Sequence, residues 1–325
     1  MLKLTLHCRA GACSRRNLRL AVATAGASPR PTVHFFKNIT AQEKYMKNKS
    51  FTAIGPLMAF LSAVLFSFGG VIIKFMPWGA LSINFVRNFV ACLITLFYMR
   101  IIHHKIKINR AVLTGAAAMS GVTITFCFAT KLTTSANAIL LQYTSPLFLI
   151  LILWLVLKQK PQKRDLVMCA AVAVGILCFF FDSLSSGGAF GNALAMLSGT
   201  LYAVVFVCNT VKGGDALSSF FFGEVISSVI GFPFLLKETV FTPYAILGGL
   251  ALGVIIGVGY AMLAEALKTT PPVAANLIGT AEPVLNPTWV AIFYGETMTP
   301  LAIVGFIIVL VSVLVYNLGG RRRAK

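Results

Sequence analysis

Residues 129–146 read ATKLTTSANAILLQYTSP, and residues 266–283 read ALKTTPPVAANLIGTAEP. The second stretch lies 137 positions after the first, and six of the eighteen paired positions are identical: Ala129 and Ala266, Lys131 and Lys268, Thr133 and Thr270, Ala138 and Ala275, Leu140 and Leu277, Pro146 and Pro283. Each stretch carries a lysine, then threonines, then an apolar run with a proline deep inside it. The same offset lays the apolar run at 51–73 onto 188–210, and the second run of the chain onto the seventh. A repeat of this kind sets the architecture, so it is weighed before any single motif.

A helix needs about 20 mostly apolar residues to cross a bilayer. Working outward from the repeat, ten such runs occur, near 51–73, 78–99, 111–130, 135–157, 165–182, 188–208, 216–236, 244–267, 273–294 and 299–318. Met76-Pro77-Trp78, Lys158–Arg164, Ser185-Ser186-Gly187-Gly188, Gly213-Gly214-Asp215 and Pro271-Pro272 punctuate them. The expected fold is all-α: a polytopic membrane protein of ten transmembrane helices arranged as two inverted five-helix repeats. The inversion follows from parity, because five crossings bring the second copy into the membrane upside down. Inverted repeats characterise many secondary transporters, with the substrate near the midplane at the repeat interface. Alternating segments of about ten residues, the signature of an outer-membrane barrel, do not occur.

Composition agrees. Of 325 residues, 58% are hydrophobic and 11% charged, against roughly 45–50% apolar and about 25% charged in soluble domains, which argues against a soluble enzyme. The formal net charge is +19. The basic residues lie between apolar runs and not on one face, so they read as membrane topology and not as a nucleic-acid surface. The N-terminal segment, the 100–110 and 158–164 loops, Lys212, Lys268 and the C-terminal tail place 24 Lys and Arg on one side; Lys74, Lys131 and Lys237 fall on the other, and Arg87 lies within a run. Both termini are therefore expected on the cytoplasmic side of the cytoplasmic (inner) membrane. Residues 1–50, with ten Lys and Arg and one acid, read as a disordered basic tail; a transit peptide and a start near Met46 are the other readings. The expected layout is this tail, a first repeat at 51–182, a second at 188–318, and a basic cytoplasmic tail at 319–325. The seven cysteines form no CxxC pair, so neither a metal site, a disulfide framework nor a cofactor is expected.

Three ionisable residues fall near the centres of apolar runs: Arg87, Glu224 and Glu282. A charge there costs about 2.5–3.5 kcal/mol on insertion scales, so such residues turn inward and mark functional sites by default. Asn84, Arg87 and Asn88 share one helical face, as do Glu224, Ser227 and Ser228, and Glu282, Asn286 and Trp289. The offset pairs Arg87 with Glu224 and Ser145 with Glu282. These residues, with Asn137, Gln142, Tyr143, Ser145, Asn276 and Thr280, are the candidate substrate-binding wall of one pseudo-two-fold cavity. The competing reading is a buried structural ion pair. If Arg87 pairs with one carboxylate, the other is left over, which suits proton coupling or an amino-bearing substrate. Pro146 and Pro283 free the carbonyls of Gln142 and Gly279. Trp78, Tyr98 and Tyr244 read as interfacial belt residues. Gly249, Gly253 and Gly257 permit close helix approach, within the bundle or across a homodimer.

The segment Thr134-Ser135-Ala136-Asn137-Ala138-Ile139-Leu140-Leu141-Gln142-Tyr143-Thr144-Ser145-Pro146, the segment Ala281-Glu282-Pro283-Val284 with the later Gly295-Glu296, and Asn84-Phe85-Val86-Arg87-Asn88 together resemble the drug/metabolite transporter superfamily, specifically its EamA-like ten-span members, over about 51–318. Lys158-Gln159 stands where the first repeat would match Gly295-Glu296. The resemblance implies two inverted five-helix repeats around a central cavity and transport of small metabolites, amino acids or drugs, frequently outward. The partners it implies are a small-molecule substrate and the lipid bilayer. The rival readings are a membrane-embedded enzyme acting on a lipid or lipid-linked substrate, for which clustered acids, bases or metal ligands are lacking, and a channel or structural membrane protein.

Overall fold

The structure is a computed structural model; it describes residues 54–156, 158, 163–184, 188–295 and 299–321. The expected N-terminal tail, Glu296 and the last four residues lie outside the described residues. The described chain is helical without strands: α1 (Ile54–Ser67), α2 (Gly69–Phe75), α3 (Ala80–Ile101), α4 (Arg110–Leu132), α5 (Ser135–Gln142), α6 (Ser145–Leu155), α7 (Lys163–Leu184), α8 (Ala189–Thr210), α9 (Ala216–Leu235), α10 (Pro243–Thr269), α11 (Pro272–Ile278), α12 (Ala281–Tyr294) and α13 (Pro300–Arg321). Among the described residues, seven stretches are long and apolar enough to cross a membrane: Ile54–Lys74, Ala80–Ile101, Arg110–Leu132, Asn137–Leu155, Ala189–Thr210, Ala216–Leu235 and Pro243–Thr269.

Polar residues between the apolar runs start the helices. Asn109 caps α4, its Oδ1 accepting from the Val112 amide at 3.1 Å; Asp215 caps α9 through the Ser218 amide at 3.0 Å; Thr134 caps α5 through the Asn137 amide at 3.1 Å. Each satisfies a backbone donor that the first turn leaves open. Helices α10, α11 and α13 begin at prolines, where a missing N–H costs nothing.

The 137-residue offset reappears in the backbone. Helix α5 stops at Gln142 and α6 restarts at Ser145, while α11 stops at Ile278 and α12 restarts at Ala281. The two breaks are tight turns, with the Thr144 amide on the Leu141 carbonyl at 3.2 Å and the Glu282 amide on the Gly279 carbonyl at 2.9 Å. The Gly279 carbonyl is thus engaged by its own turn and not left free, as Pro283 alone would imply. Helix pairings are also exchanged by the offset: α4 packs on α8 as α10 packs on α1, α10 on α3 as α4 on α9, and α8 on α6 as α1 on α12. Thr133 and Thr270, equivalent under the offset, each receive a glycine. A Cβ on Gly191 would come 3.0 Å from the Thr133 amide, and one on Gly55 2.6 Å from Thr270 Oγ1.

Helices α3 and α9 are themselves an equivalent pair, and they run antiparallel. The residues before α3 bond those after α9 (Gly79 N to Glu238 Oε1, 2.8 Å), and the residues after α3 bond the cap of α9 (His104 Nε2 to Asp215 Oδ2, 2.8 Å). Each presents polar residues inward and apolar ones outward. On α3, Asn84, Arg87, Asn88, Ala91 and Thr95 are buried while Phe89, Leu93 and Phe97 are exposed. On α9, Glu224, Ser227 and Ser228 are buried and Val229 and Ile230 exposed. This is the arrangement for which lipid, and not water, is the outer solvent.

The glycine stripe of α10 serves the bundle. A Cβ at Gly249 would meet Val86, one at Gly253 Val90, and one at Gly257 the Ala91 Cα at 2.9 Å, all on α3. Gly257→Ala therefore pushes two backbones apart and costs about 1–3 kcal/mol, the usual price of overpacking. Gly248→Ala, whose Cβ meets Ile72 at an ordinary 3.6 Å, leaves thermal unfolding in detergent unchanged, and the comparison isolates the effect. Trp78 also departs from its expected place. It is 3% exposed, in the core and not at the interfacial belt, with its indole N–H on the Val240 carbonyl at 2.7 Å.

Candidate functional site

The two helix breaks face each other and exchange hydrogen bonds. From the first break the Tyr143 hydroxyl donates to Glu282 Oε2 at 2.8 Å, and the Ser145 hydroxyl donates to Asn276 Oδ1 at 3.1 Å. The bonds join offset-related segments: Tyr143 lies in the first break and Ser145 opens α6, while Asn276 lies in α11 and Glu282 in the first turn of α12. Gln142 Nε2 reaches Ser198 Oγ on α8 at 2.7 Å. Asn286 ties three segments: its Nδ2 donates to the Ser67 carbonyl at 2.7 Å and its Oδ1 accepts from Ser135 Oγ at 3.2 Å. Trp289 supports it, with Nε1 on Ser67 Oγ at 3.0 Å and its ring stacked on Phe68. Asn137 in α5 and Thr280 in the second break are buried as well.

A second polar group sits between α3, α4 and α9. Arg87 donates from Nη2 to the Thr123 carbonyl at 2.9 Å. Glu224 Oε1 accepts from Thr95 Oγ1 at 3.2 Å. Thr123, Ser227 and Ser120 form a hydroxyl chain, with Thr123 Oγ1 to Ser227 Oγ at 2.8 Å and Ser227 Oγ to Ser120 Oγ at 3.0 Å. Asn88 Nδ2 bonds Asn84 Oδ1 at 2.9 Å. Among the described residues Arg87 makes no ion pair with either carboxylate. Neutral hydroxyls and a backbone carbonyl meet the three charges instead. Arg87 Nε, Glu224 Oε2, Asn84 Nδ2, Asn88 Oδ1 and Asn276 Nδ2 are buried without a hydrogen-bond partner. Buried polar atoms are nearly always paired, and exceptions cluster at functional sites.

Two tyrosines connect the groups. Tyr260 on α10 is buried between α1 and α9, and Tyr202 on α8 borders the same small cavity as Tyr143 and Asn276. Aromatic neighbours fix both rings: Phe66 and Phe220 against Tyr260 at 5.0 and 5.1 Å, Phe206 against Tyr202 at 4.9 Å. Sequence reading missed both, since a tyrosine inside an apolar run carries no charge to mark it. The offset held one signal: Tyr260 is the equivalent of Thr123, whose carbonyl holds Arg87. Beside these rings lies a small cavity bordered by Phe66, Tyr143, Tyr202, Phe206, Asn276 and Gly279 among others. Its volume is about 10 Å³, room for about one water. The cavity wall offers the Tyr143 and Tyr202 rings and the Asn276 amide, and the Tyr143 hydroxyl joins it to the Glu282 carboxylate.

Comparison with known proteins gives a consistent picture. The model of a family described as the EamA-like transporter family matches residues 53–181 and again residues 189–318. No curated protein sequence matches the chain. A solved structure, titled only as the crystal structure of a protein, superposes with a TM-score of 0.62 at 15% identity, covering 82% of this chain and 98% of that one. At that identity the likeness speaks of the fold alone.

Proposed function

This chain belongs to the EamA-like transporter family, a multi-pass membrane transporter family, and from that premise we propose a secondary transporter that moves a small metabolite, amino acid or drug by alternating access, in the outward direction and coupled to protons. The proposed architecture is ten membrane-spanning helices in two inverted repeats, at 51–182 and 188–318, with both termini on the cytoplasmic side of the cytoplasmic membrane. The antiparallel course of the equivalent helices α3 and α9 supports the inversion. The observation that carries the reading is the exchange across the two helix breaks, Tyr143 with Glu282 and Ser145 with Asn276. Broken helices that meet at a repeat interface are where transporters of this design place their substrates.

In this reading Glu282, Tyr143, Asn276, Ser145, Gln142, Asn137, Thr280 and Asn286 line one side of the pathway, and Arg87, Asn84, Asn88 and Glu224 the other. An unpaired carboxylate beside a hydroxyl chain suits proton exchange, since nothing but hydroxyls must move when the proton leaves. Counterflow into proteoliposomes of the purified chain, over a panel of amino acids, nucleobases and cationic and anionic drugs, is expected to show at least one solute accumulating above protein-free vesicles. An imposed pH gradient is expected to drive it further. A panel without any such solute overturns the proposal.

A further inference from the structure

We infer that α3 and α9 are held together at their two ends by a pair of clasps, and that these are the two doors of the transport pathway, opening in turn on opposite membrane faces. The inference rests on the transport reading and adds which residues shut each mouth.

The first clasp joins the loop after α3 to the start of α9. His104 Nε2 lies 2.8 Å from Asp215 Oδ2 and Lys107 Nζ 3.7 Å from Asp215 Oδ1. The Lys107 amide donates to Ser218 Oγ at 3.1 Å, and Asn109 Nδ2 to the Gly213 carbonyl at 2.8 Å. The His104 and Asp215 side chains are only 13% and 12% exposed, so water screens this pair less than an open surface pair. Burial works to raise the Asp215 carboxyl, but hydrogen bonds from Ser218 and His104 outweigh it and hold the group below its ordinary range. Asp215 is therefore an anion at neutral pH. One carboxylate caps α9, receives His104 and attracts Lys107, so its loss frees the loop at two points and uncaps the helix.

The second clasp joins the segment after α9 to the start of α3. The Trp78 indole donates to the Val240 carbonyl at 2.7 Å and packs on Phe241, and the Gly79 amide donates to Glu238 Oε1 at 2.8 Å. Trp78 and Gly79 are the equivalents of Asp215 and Ala216 under the 137 offset. The clasps thus occupy matching places at opposite ends of one antiparallel helix pair, with Arg87 and Glu224 between them. Their chemistry differs: one is ionic, the other an indole and a backbone amide. The difference lets a bound solute release one while the other holds, which two identical clasps would not favour.

The test needs no identified solute. In the full chain with its seven native cysteines changed to serine, Asn276→Cys supplies a reporter on the cavity wall. Labelling by a membrane-impermeant maleimide is followed from each face of oriented vesicles. A short bifunctional methanethiosulfonate bridging His104→Cys to Asp215→Cys is expected to abolish labelling from the face bearing the 100–110 loop and to leave labelling from the other. Bridging Gly79→Cys to Glu238→Cys gives the reverse, and a reductant undoes both. Asp215→Asn, which retains the cap and shape, raises labelling from the 100–110 face severalfold without any bridge. Labelling unmoved by either bridge, or by Asp215→Asn, overturns the clasps as doors. Counterflow that persists through both bridges overturns them too, yet leaves the transport reading standing.

Discussion

Glu282→Gln lowers transport of a recognised solute about 2- to 30-fold and removes its response to a pH gradient, while the chain folds and unfolds as before. The amide keeps the shape of the carboxylate and can still accept from the Tyr143 hydroxyl, which stands 2.8 Å away. What it loses is the charge and the capacity to take up a proton. A hydrogen bond to a charged group contributes about 1.5–3 kcal/mol against about 1 for a neutral one; the difference of about 0.5–2 kcal/mol is a factor of about 2–30 in binding. Asn276→Ala, which removes a neutral donor and the acceptor of Ser145, serves as the calibrating variant. Its expected loss is only several-fold, because its bond to Ser145 is neutral. Equal counterflow and equal pH response for wild type and Glu282→Gln would remove Glu282 from both the solute site and the proton path. Glu282→Asp separates the two roles, since it keeps the proton-binding group and shortens its reach to Tyr143.

The offset in the sequence carried much of the architecture. Pro146 and Pro283 marked the Gln142 and Gly279 carbonyls as weak points of two runs read as single spans, 135–157 and 273–294, and the helices break beside them. Buried polar positions were legible for the same reason. Lipid penalises a charge so heavily that Arg87, Glu224 and Glu282 had to face inward. Partnership was not legible. Offset equivalence paired Arg87 with Glu224, with a buried ion pair as the competing reading, yet the guanidinium meets the Thr123 carbonyl and the carboxylate meets Thr95. Equivalence under a two-fold says that two residues exchange places, not that they touch. Tyr202, Tyr260 and Trp78 were hidden differently. In helices apolar on every side, nothing in sequence says which aromatic faces lipid and which faces the core. His104 and Asp215 were hidden by distance, 111 positions apart, although an acid in the Gly213-Gly214-Asp215 turn three residues before Ser218 already marked a helix cap.

Arg87→Met is expected to separate function from stability in the opposite sense to most core substitutions. Arg87 is 2% exposed, with one hydrogen bond to a backbone carbonyl and its Nε unpartnered. A buried cation without a carboxylate partner bears a desolvation cost that its surroundings do not return, and replacing buried ionic groups by apolar ones of similar volume is often neutral or stabilising by 1–4 kcal/mol. Methionine fills much of the same stem volume with a flexible apolar chain. Thermal unfolding in detergent is therefore expected to stay level or move upward. Counterflow is expected to fall at least tenfold, because the buried guanidinium held on the Thr123 carbonyl is gone. Arg87→Lys keeps the charge but not the planar fork that reaches Thr123, and its activity falls between the two. A variant that unfolds several degrees earlier and transports in proportion to the folded protein left would assign Arg87 to structure. A variant as stable as the wild type yet inactive assigns it to the solute or to the proton, and the pH response of the lysine variant tells which: a solute contact leaves that response intact, whereas a contact that tunes the carboxylates shifts it.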